Sequence, residues 1–272
     1  MTGRPTALVT GAGSGIGAAT ARLLAAQGYD LILVARREDK LAAEAESLRQ
    51  AGSRVETLSA DLADHQGLRT VVDRAQAGPV DLLVSNAGTG GYTPLTDLTP
   101  DDVDHLWRLN ATAHITLTRA VLPAMLHAGS GGIVTVASLP AFSAGLDMGF
   151  PRTLYVAAKS AVVGFTRSLA GELRGTGVKA TVVCPGLVDT EWSGGANHGD
   201  PRAMPAPDVA QSLLTAHRQG EVLCVPGIED RDVIRRWTDT EPTLLLQGNH
   251  AELAPRYRRP ARRAPRSRPF KR

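Results

Sequence analysis

The chain has 272 residues, 43% hydrophobic and 21% charged, which excludes global disorder and suits one large α/β domain. Its net charge of +3 hides an uneven distribution: residues 256–272 hold nine of the thirty Lys and Arg and no acid, leaving −6 on residues 1–255. Cys184 and Cys224 are too few for a disulfide framework and, lying in apolar runs, read as buried free thiols.

No apolar stretch approaches the roughly 20 residues of a membrane-spanning helix. Met1 is followed closely by the strand-like run TALVT rather than a secretory leader, so a cytoplasmic setting is the default expectation. Strands are predicted at Thr6–Thr10, Asp30–Ala35, Arg54–Leu58, Val80–Ser85, Gly132–Ala137, Val178–Val183 and Glu221–Val225. Helical patterns over 15–27, 38–51, 64–76, 101–128, 154–175 and 207–219 alternate with them. Val-, Ile- and Leu-rich strands with little polar alternation suit a parallel sheet buried on both faces. Repeated strand–helix units with right-handed crossovers predict a doubly wound α/β fold: a seven-stranded parallel sheet with helices on both faces.

Thr99-Pro100-Asp101-Asp102 has the form of a helix start, and Pro123 is expected to end or kink that helix. Residues 1–226 read as one domain. Residues 227–255 form an extension whose apolar patch, Leu244-Leu245-Leu246, packs either on the domain or on a neighbouring subunit. Residues 256–272, rich in Pro and Arg without apolar periodicity, read as a disordered tail. Such a tail can attract nucleic acid or anionic lipid nonspecifically, or can simply be a solvated end.

The first strand runs into Thr10-Gly11-Ala12-Gly13-Ser14-Gly15-Ile16-Gly17 and a helix follows. A glycine turn between strand and helix lets main-chain N–H groups and the helix dipole meet a pyrophosphate. The spacing is T-G-x-x-x-G-x-G, with Ile16 where a strict G-x-G-x-x-G would put its last glycine. A merely tight turn is the plainer alternative. The second strand ends at Arg36-Arg37, where an acid would read the 2′-hydroxyl of NAD. Two arginines suit the 2′-phosphate of NADP. The alternative is a solvated pair facing Glu38 and Asp39.

Tyr155 and Lys159 stand one helical turn apart, where a cation can lower the phenol pKa. They accompany Thr10–Gly17, Asp61-Leu62, Asn86-Ala87-Gly88, Asn110, Ser138 and the run Pro185-Gly186-Leu187-Val188-Asp189-Thr190. In this order and spacing the chain closely resembles the short-chain dehydrogenase/reductase family, in its single-domain NAD(P)-dependent branch, over about residues 4–226. The resemblance implies a Rossmann-type catalytic domain binding NADP(H) and a small carbonyl or alcohol substrate.

The resemblance also assigns roles. Gly11, Ser14, Gly15, Ile16 and Gly17 would form the pyrophosphate turn, and Arg36 and Arg37 would hold the 2′-phosphate. Asp61 and Leu62 would contact adenine, while Asn86, Ala87 and Gly88 would line the adenosine ribose side. Pro185, Gly186, Val188 and Thr190 would border the nicotinamide. Tyr155 would be the acid/base. Lys159 would lower its pKa and bind ribose, Ser138 would stabilise the substrate oxygen, and Asn110 would hold a relay water. For Asn110 the alternative is a polar side chain bonded to main chain. The family also implies dimers or tetramers through helices 101–128 and 154–175.

One spacing departs from the family's. Ser138 precedes Tyr155 by four residues more than usual, read as an insertion in the loop Ser143–Thr153 at the substrate mouth. Ser143 is the other candidate serine. The Gly-rich segment Glu191–Pro205 reads as a short lid. Seven scattered histidines offer no metal-ligand spacing, so no metal is expected. A second functional reading is a non-catalytic NADP-binding regulator on the same fold, which would have no use for the Tyr155/Lys159 pair.

Overall fold

Runs of aliphatic and β-branched residues form the strands β1 (Thr6–Thr10), β2 (Asp30–Ala35), β3 (Val55–Ser59), β4 (Leu82–Ser85), β5 (Gly131–Val136), β6 (Val178–Val183), β7 (Val188–Asp189), β8 (Met204–Pro205) and β9 (Leu223–Cys224). Seven of them pair in parallel in the order β3-β2-β1-β4-β5-β6-β9, while β7 and β8 pair with each other. Val9 of β1 stands opposite both Leu33 of β2 and Val84 of β4. The chain leaves β1 for β2 on one side and reaches β4 on the other. The carboxyl ends of β1 and β4 therefore flank a topological switch point, where open α/β sheets leave a crevice.

The helices are α1 (Gly15–Ala26), α2 (Glu38–Gln50), α3 (His65–Gln76), α4 (Pro100–Trp107), α5 (Ala113–Ala128), α6 (Thr153–Glu172), α7 (Ala206–Gln219) and α8 (Arg231–Gly248). Leu24, Leu41 and Leu213 of α1, α2 and α7 pack with Val9 and Leu33 on one face of the sheet. Val71, Leu117 and Leu169 of α3, α5 and α6 pack with Leu8 and Ile32 on the other. This is the doubly wound Rossmann-type architecture expected from the alternation of strands and helices. Each fully buried leucine contributes about 1.5–3 kcal/mol, so both layers hold the strand ends rigidly.

The structure, a computed structural model, describes residues 3–192, 197, 199–248, 251 and 253–257. It divides into two compact units, Met1–Gly227 and Ile228–Arg272. All but the first residues of the expected tail, 256–272, lie outside the described residues. So do 193–196 and 198 of the segment expected to form a lid. Among the described residues no helix is long and apolar enough to cross a membrane.

Three details differ from the expected elements. The single helix predicted over 101–128 is two helices joined by a π-turn, Arg108–Thr112, which carries Asn110. Thr99 and Asp102 cap α4 reciprocally. Pro123 does not end α5, which runs through it to Ala128. Pro123 and Arg119, four residues before it, both lie on the exposed face, where water can satisfy the carbonyl that proline leaves unbonded. Finally, the region 227–255 contains α8. Leu244, Leu245 and Leu246 of this helix are consecutive and exposed, and Pro242 lies inside it.

Candidate active site

The turn after β1 is built by close packing. Gly11 has a φ of 68°, and a Cβ on it would stand 2.6 Å from Nδ2 of Asn86. A Cβ on Gly17 would fall 2.2 Å from the Gly11 carbonyl oxygen. These two glycines let α1 start directly beneath the turn, with its free N–H groups facing the crevice. Asn86 closes the other wall. Its Nδ2 donates to the Thr10 carbonyl at 2.9 Å, while the main-chain N–H groups of Asn86 and Ala87 donate to the Thr10 hydroxyl at 2.9 and 3.0 Å. Thr190 packs over the turn from β7, its methyl 3.0 Å from where a Gly15 side chain would begin.

At the end of β2 a cradle of cations surrounds an anion. Arg37 donates through Nη2 to Ser14 Oγ at 2.9 Å and through Nη1 to Glu191 at 3.2 Å. Lys40 Nζ lies 2.5 Å from both oxygens of the same carboxylate. The hydrogen bonds from Lys40 and then Arg37 hold the Glu191 pKa below the usual carboxylate range. Arg36, expected to share this task, is exposed and makes no such contact among the described residues. Lys40 was missed, although it stands three positions beyond Arg37 on α2 and so shares its helix face. An anionic group fits between Arg37 and Lys40, and here a carboxylate of the chain itself stands there.

The other end of the crevice is buried. Tyr155 and Lys159 face inward from α6 and are 4% and 3% exposed. Lys159 donates to the Val136 carbonyl at 3.0 Å. A Cβ on Gly88 would stand 2.8 Å from Asn110 Oδ1 and 3.2 Å from Lys159 Nζ, so Gly88, Asn110 and Lys159 converge. Asn110 is held at both ends, accepting from the Thr89 N–H and donating to its carbonyl, each at 3.0 Å. Both bonds are to main chain.

Burial lowers the Lys159 pKa from 10.5 to about 8. It raises that of Tyr155 well above 10, partly offset by a hydrogen bond from Ser138. The expected lowering of the phenol pKa by Lys159 is not found, because desolvation by burial dominates at Tyr155.

The two candidate serines part company. The main chain on both sides of Ser138 is pinned: Ala137 N–H donates to the Val183 carbonyl and Leu139 N–H to the Pro185 carbonyl, each at 2.8 Å. Its hydroxyl acts to lower the Tyr155 pKa against the effect of burial. Ser143 instead donates to the Pro140 carbonyl at 2.7 Å and accepts from Arg152 Nε at 3.1 Å. Asp61 accepts from Ala63 N–H at 2.9 Å within its own loop. Leu62 is buried in the core, so only its main chain could face a ligand. Pro185 and Val188 are buried and Gly186 is exposed, its position 3.2 Å from a Leu139 methyl.

Two aromatic residues that the sequence reading left out stand beside Tyr155. The Tyr92 ring lies 5.7 Å and the Trp192 ring 5.9 Å from it, centroid to centroid.

Comparison with known proteins agrees with this architecture. The short chain dehydrogenase family model matches residues 5–200. A short chain dehydrogenase of Pseudocercospora fijiensis is 37% identical over 258 residues, covering 92% of this chain and 80% of its own. A short-chain dehydrogenase from Sphingobium yanoikuyae, solved with NADPH, superimposes with a TM-score of 0.87 at 30% identity, covering 93% of this chain and all of that one. The bulky-bulky ketone specific alcohol dehydrogenase from Comamonas testosteroni superimposes at 0.85 and 28% identity, over 94% of this chain and 99% of its own. With a switch-point crevice, a glycine turn over α1 and the Ser138, Tyr155 and Lys159 group at the far end, the chain belongs to the short-chain dehydrogenase family of oxidoreductases.

Proposed function

We propose that this oxidoreductase interconverts a carbonyl compound and the corresponding secondary alcohol using NADP(H). The observation that carries the reading is the inward-facing Tyr155 and Lys159 of α6, with Lys159 converging on Asn110 and Gly88, beside a Ser138 whose neighbours are anchored at the carboxyl end of β5. The NADPH and bulky ketone named for the two solved neighbours support the cofactor and the substrate type.

Gly11, Ser14, Gly15, Ile16 and Gly17 hold the pyrophosphate over the α1 N-terminus, and Arg37 and Lys40 take the 2′-phosphate where Glu191 now stands. Asn86, Ala87 and Gly88 line the ribose side, and Pro185, Gly186, Val188 and Thr190 border the nicotinamide. Bound nicotinamide supplies the hydride for a carbonyl carbon.

Ser138 donates to the carbonyl oxygen and is fixed before reaction by its two anchored neighbours. Tyr155, kept protonated by burial, gives its proton to that oxygen as charge develops there. Lys159, still largely charged below its lowered pKa of about 8, binds ribose and supplies positive charge as the phenol loses its proton. Asn110 fixes the loop at Thr89 that carries this wall.

The test is NADPH oxidation, followed by absorbance, across a panel of ketones and aldehydes, with NADH as control. On any ketone turned over, Ser138→Ala is expected to lose about a hundredfold in kcat, and Ser143→Ala little. Loss at Ser143 alone would reassign the substrate donor. No turnover of any carbonyl or alcohol would end the reading.

A further inference from the structure

Aromatic residues are only 4% of the chain, yet three of them gather around Tyr155 from three separate segments. Tyr92 follows β4, Phe150 precedes α6 in the loop read as an insertion, and Trp192 follows β7. Tyr92 meets Phe150 at 5.5 Å with the rings 79° apart, and Trp192 at 6.1 Å with the rings 87° apart. Both Tyr92 and Trp192 lie within 6 Å of the Tyr155 ring. The approach of Tyr92 needs the glycine before it: a Cβ on Gly91 would lie 2.2 Å from a Leu106 methyl and 3.5 Å from Tyr155 Cβ.

The Phe150 side of this wall is held from behind. Arg152, 7% exposed, donates through Nε to Ser143 Oγ at 3.1 Å and through Nη2 to the Ser143 and Leu146 carbonyls at 3.3 and 2.9 Å. Its guanidinium carbon lies 5.5 Å from the Phe150 ring centroid. One cation thus staples the loop and backs its aromatic residue.

Core aromatics would be covered, but Tyr92 is 40% and Phe150 50% exposed. The rings meet edge to face, an arrangement that leaves π-faces open to a further flat ring. The same loop carries exposed Leu146 and Met148, adding apolar surface at the mouth.

We propose that the substrate is an aryl ketone or aryl aldehyde, or the matching alcohol, with its ring among Tyr92, Phe150 and Trp192 and its oxygen at Ser138 and Tyr155. This rests on the carbonyl–alcohol reading above. Tyr92, Phe150 and Trp192 are then specificity-determining residues, and the loop between Ser143 and Arg152 is the element that brings Phe150 to the site.

The experiment compares acetophenone with cyclohexyl methyl ketone, which differ in aromaticity and little in size. Each of Tyr92→Leu, Phe150→Leu and Trp192→Leu is expected to lower the acetophenone-to-cyclohexyl ratio of kcat/KM about threefold to tenfold. Because both ketones are measured on one preparation, any loss of folded enzyme cancels from the ratio. The ratio's change between wild type and variant likewise removes the intrinsic reactivity difference of the two ketones. A second readout needs no turnover: acetophenone should quench tryptophan fluorescence in wild type and not in Trp192→Leu.

Unchanged ratios in all three variants, or turnover of both ketones without quenching, would overturn the aromatic site and leave the carbonyl reading standing. Quenching that depends on Trp192, without turnover of either ketone, would support the aromatic site and overturn the carbonyl reading. Neither quenching nor turnover would overturn both.

Discussion

The two ends of the crevice handle charge in opposite ways. At the end of β2, Arg37, Lys40 and Glu191 meet in water, each more than a third exposed at its side chain or close to it. At the end of β5, Lys159 is closed inside the protein and its proton is held so loosely that its pKa falls to about 8. One turn beyond Asn110, His114 is buried as well, and burial followed by the charge of Lys159 pushes its pKa far down. Exposed ion pairs are each worth little and are screened by salt. Buried groups carry large and opposed costs. On the proposed reading, the exposed end chooses between cofactors by small increments, while the buried end carries proton chemistry that the fold sustains at a cost in stability.

If that contrast is right, the largest effect lies at the buried end. Tyr155→Phe keeps the ring and its packing but removes the phenol proposed to give a proton to a carbonyl oxygen held by Ser138. Turnover should fall about 10²–10⁴-fold, while NADPH affinity measured by fluorescence stays within about twofold. Residual turnover near the wild-type level would break the comparison, because the buried end would then have no proton role.

The next effect separates function from stability. A lysine displaced from 10.5 to about 8 costs the folded state about 3 kcal/mol at pH 7. The unfolded chain binds the extra proton between these two values, so stability rises with pH across that window and the penalty is gone above it. Lys159→Met should abolish turnover yet raise the unfolding free energy of the ligand-free protein by up to about 3 kcal/mol below pH 8. The gain should fade as pH rises toward 10.5. Denaturant unfolding at pH 7 and pH 10 measures both. A destabilised variant at pH 7 would mean that the bond to the Val136 carbonyl outweighs desolvation.

Much of this contrast could be read along the chain, and the remainder could not, for a physical reason. The β1 turn, Arg37 and the Tyr155/Lys159 pair are local patterns whose spacing carries their meaning. The partner of Arg37 and Lys40 is more than 150 positions away at Glu191, and no period links it to α2. Tyr92, Phe150 and Trp192 likewise converge only after the sheet has formed. The π-turn around Asn110 escapes detection because the apolar period of residues 101–128 passes smoothly across it. Proton affinities were the hardest to foresee: the expected lowering of Tyr155 follows from charge alone, whereas burial decides its direction.

At the exposed end the expected effects are smaller. Replacing Arg37 and Lys40 together by alanine should weaken NADPH binding about tenfold or more, the scale of losing charge-assisted contacts, and leave NADH within about twofold. Arg36→Ala should change NADPH affinity less than either partner of Glu191, which separates the adjacent arginines. Titrations at low and high salt decide it. Equal losses for NADPH and NADH would show that these cations hold the turn rather than read a phosphate.

The smallest effect gives the most detailed reading of this end. Glu191 holds Arg37 and Lys40, so on the proposed reading it competes with a 2′-phosphate for the same two cations. Its lowered pKa keeps it charged throughout the neutral range, so the competition should not vary with pH there. Glu191→Gln keeps the shape and removes the charge, freeing Arg37 and Lys40 at no cost to their positions on α2. NADPH affinity should rise by about twofold to fivefold, the scale of an exposed ion pair. NADH affinity should stay level, because a 2′-hydroxyl does not contest those cations. The gain should shrink in high salt, where exposed charges are screened within a few ångströms. If NADPH binds more weakly to Glu191→Gln, the carboxylate is not a competitor but the group that holds Arg37 and Lys40 ready, and the exposed end is then as preorganised as the buried one.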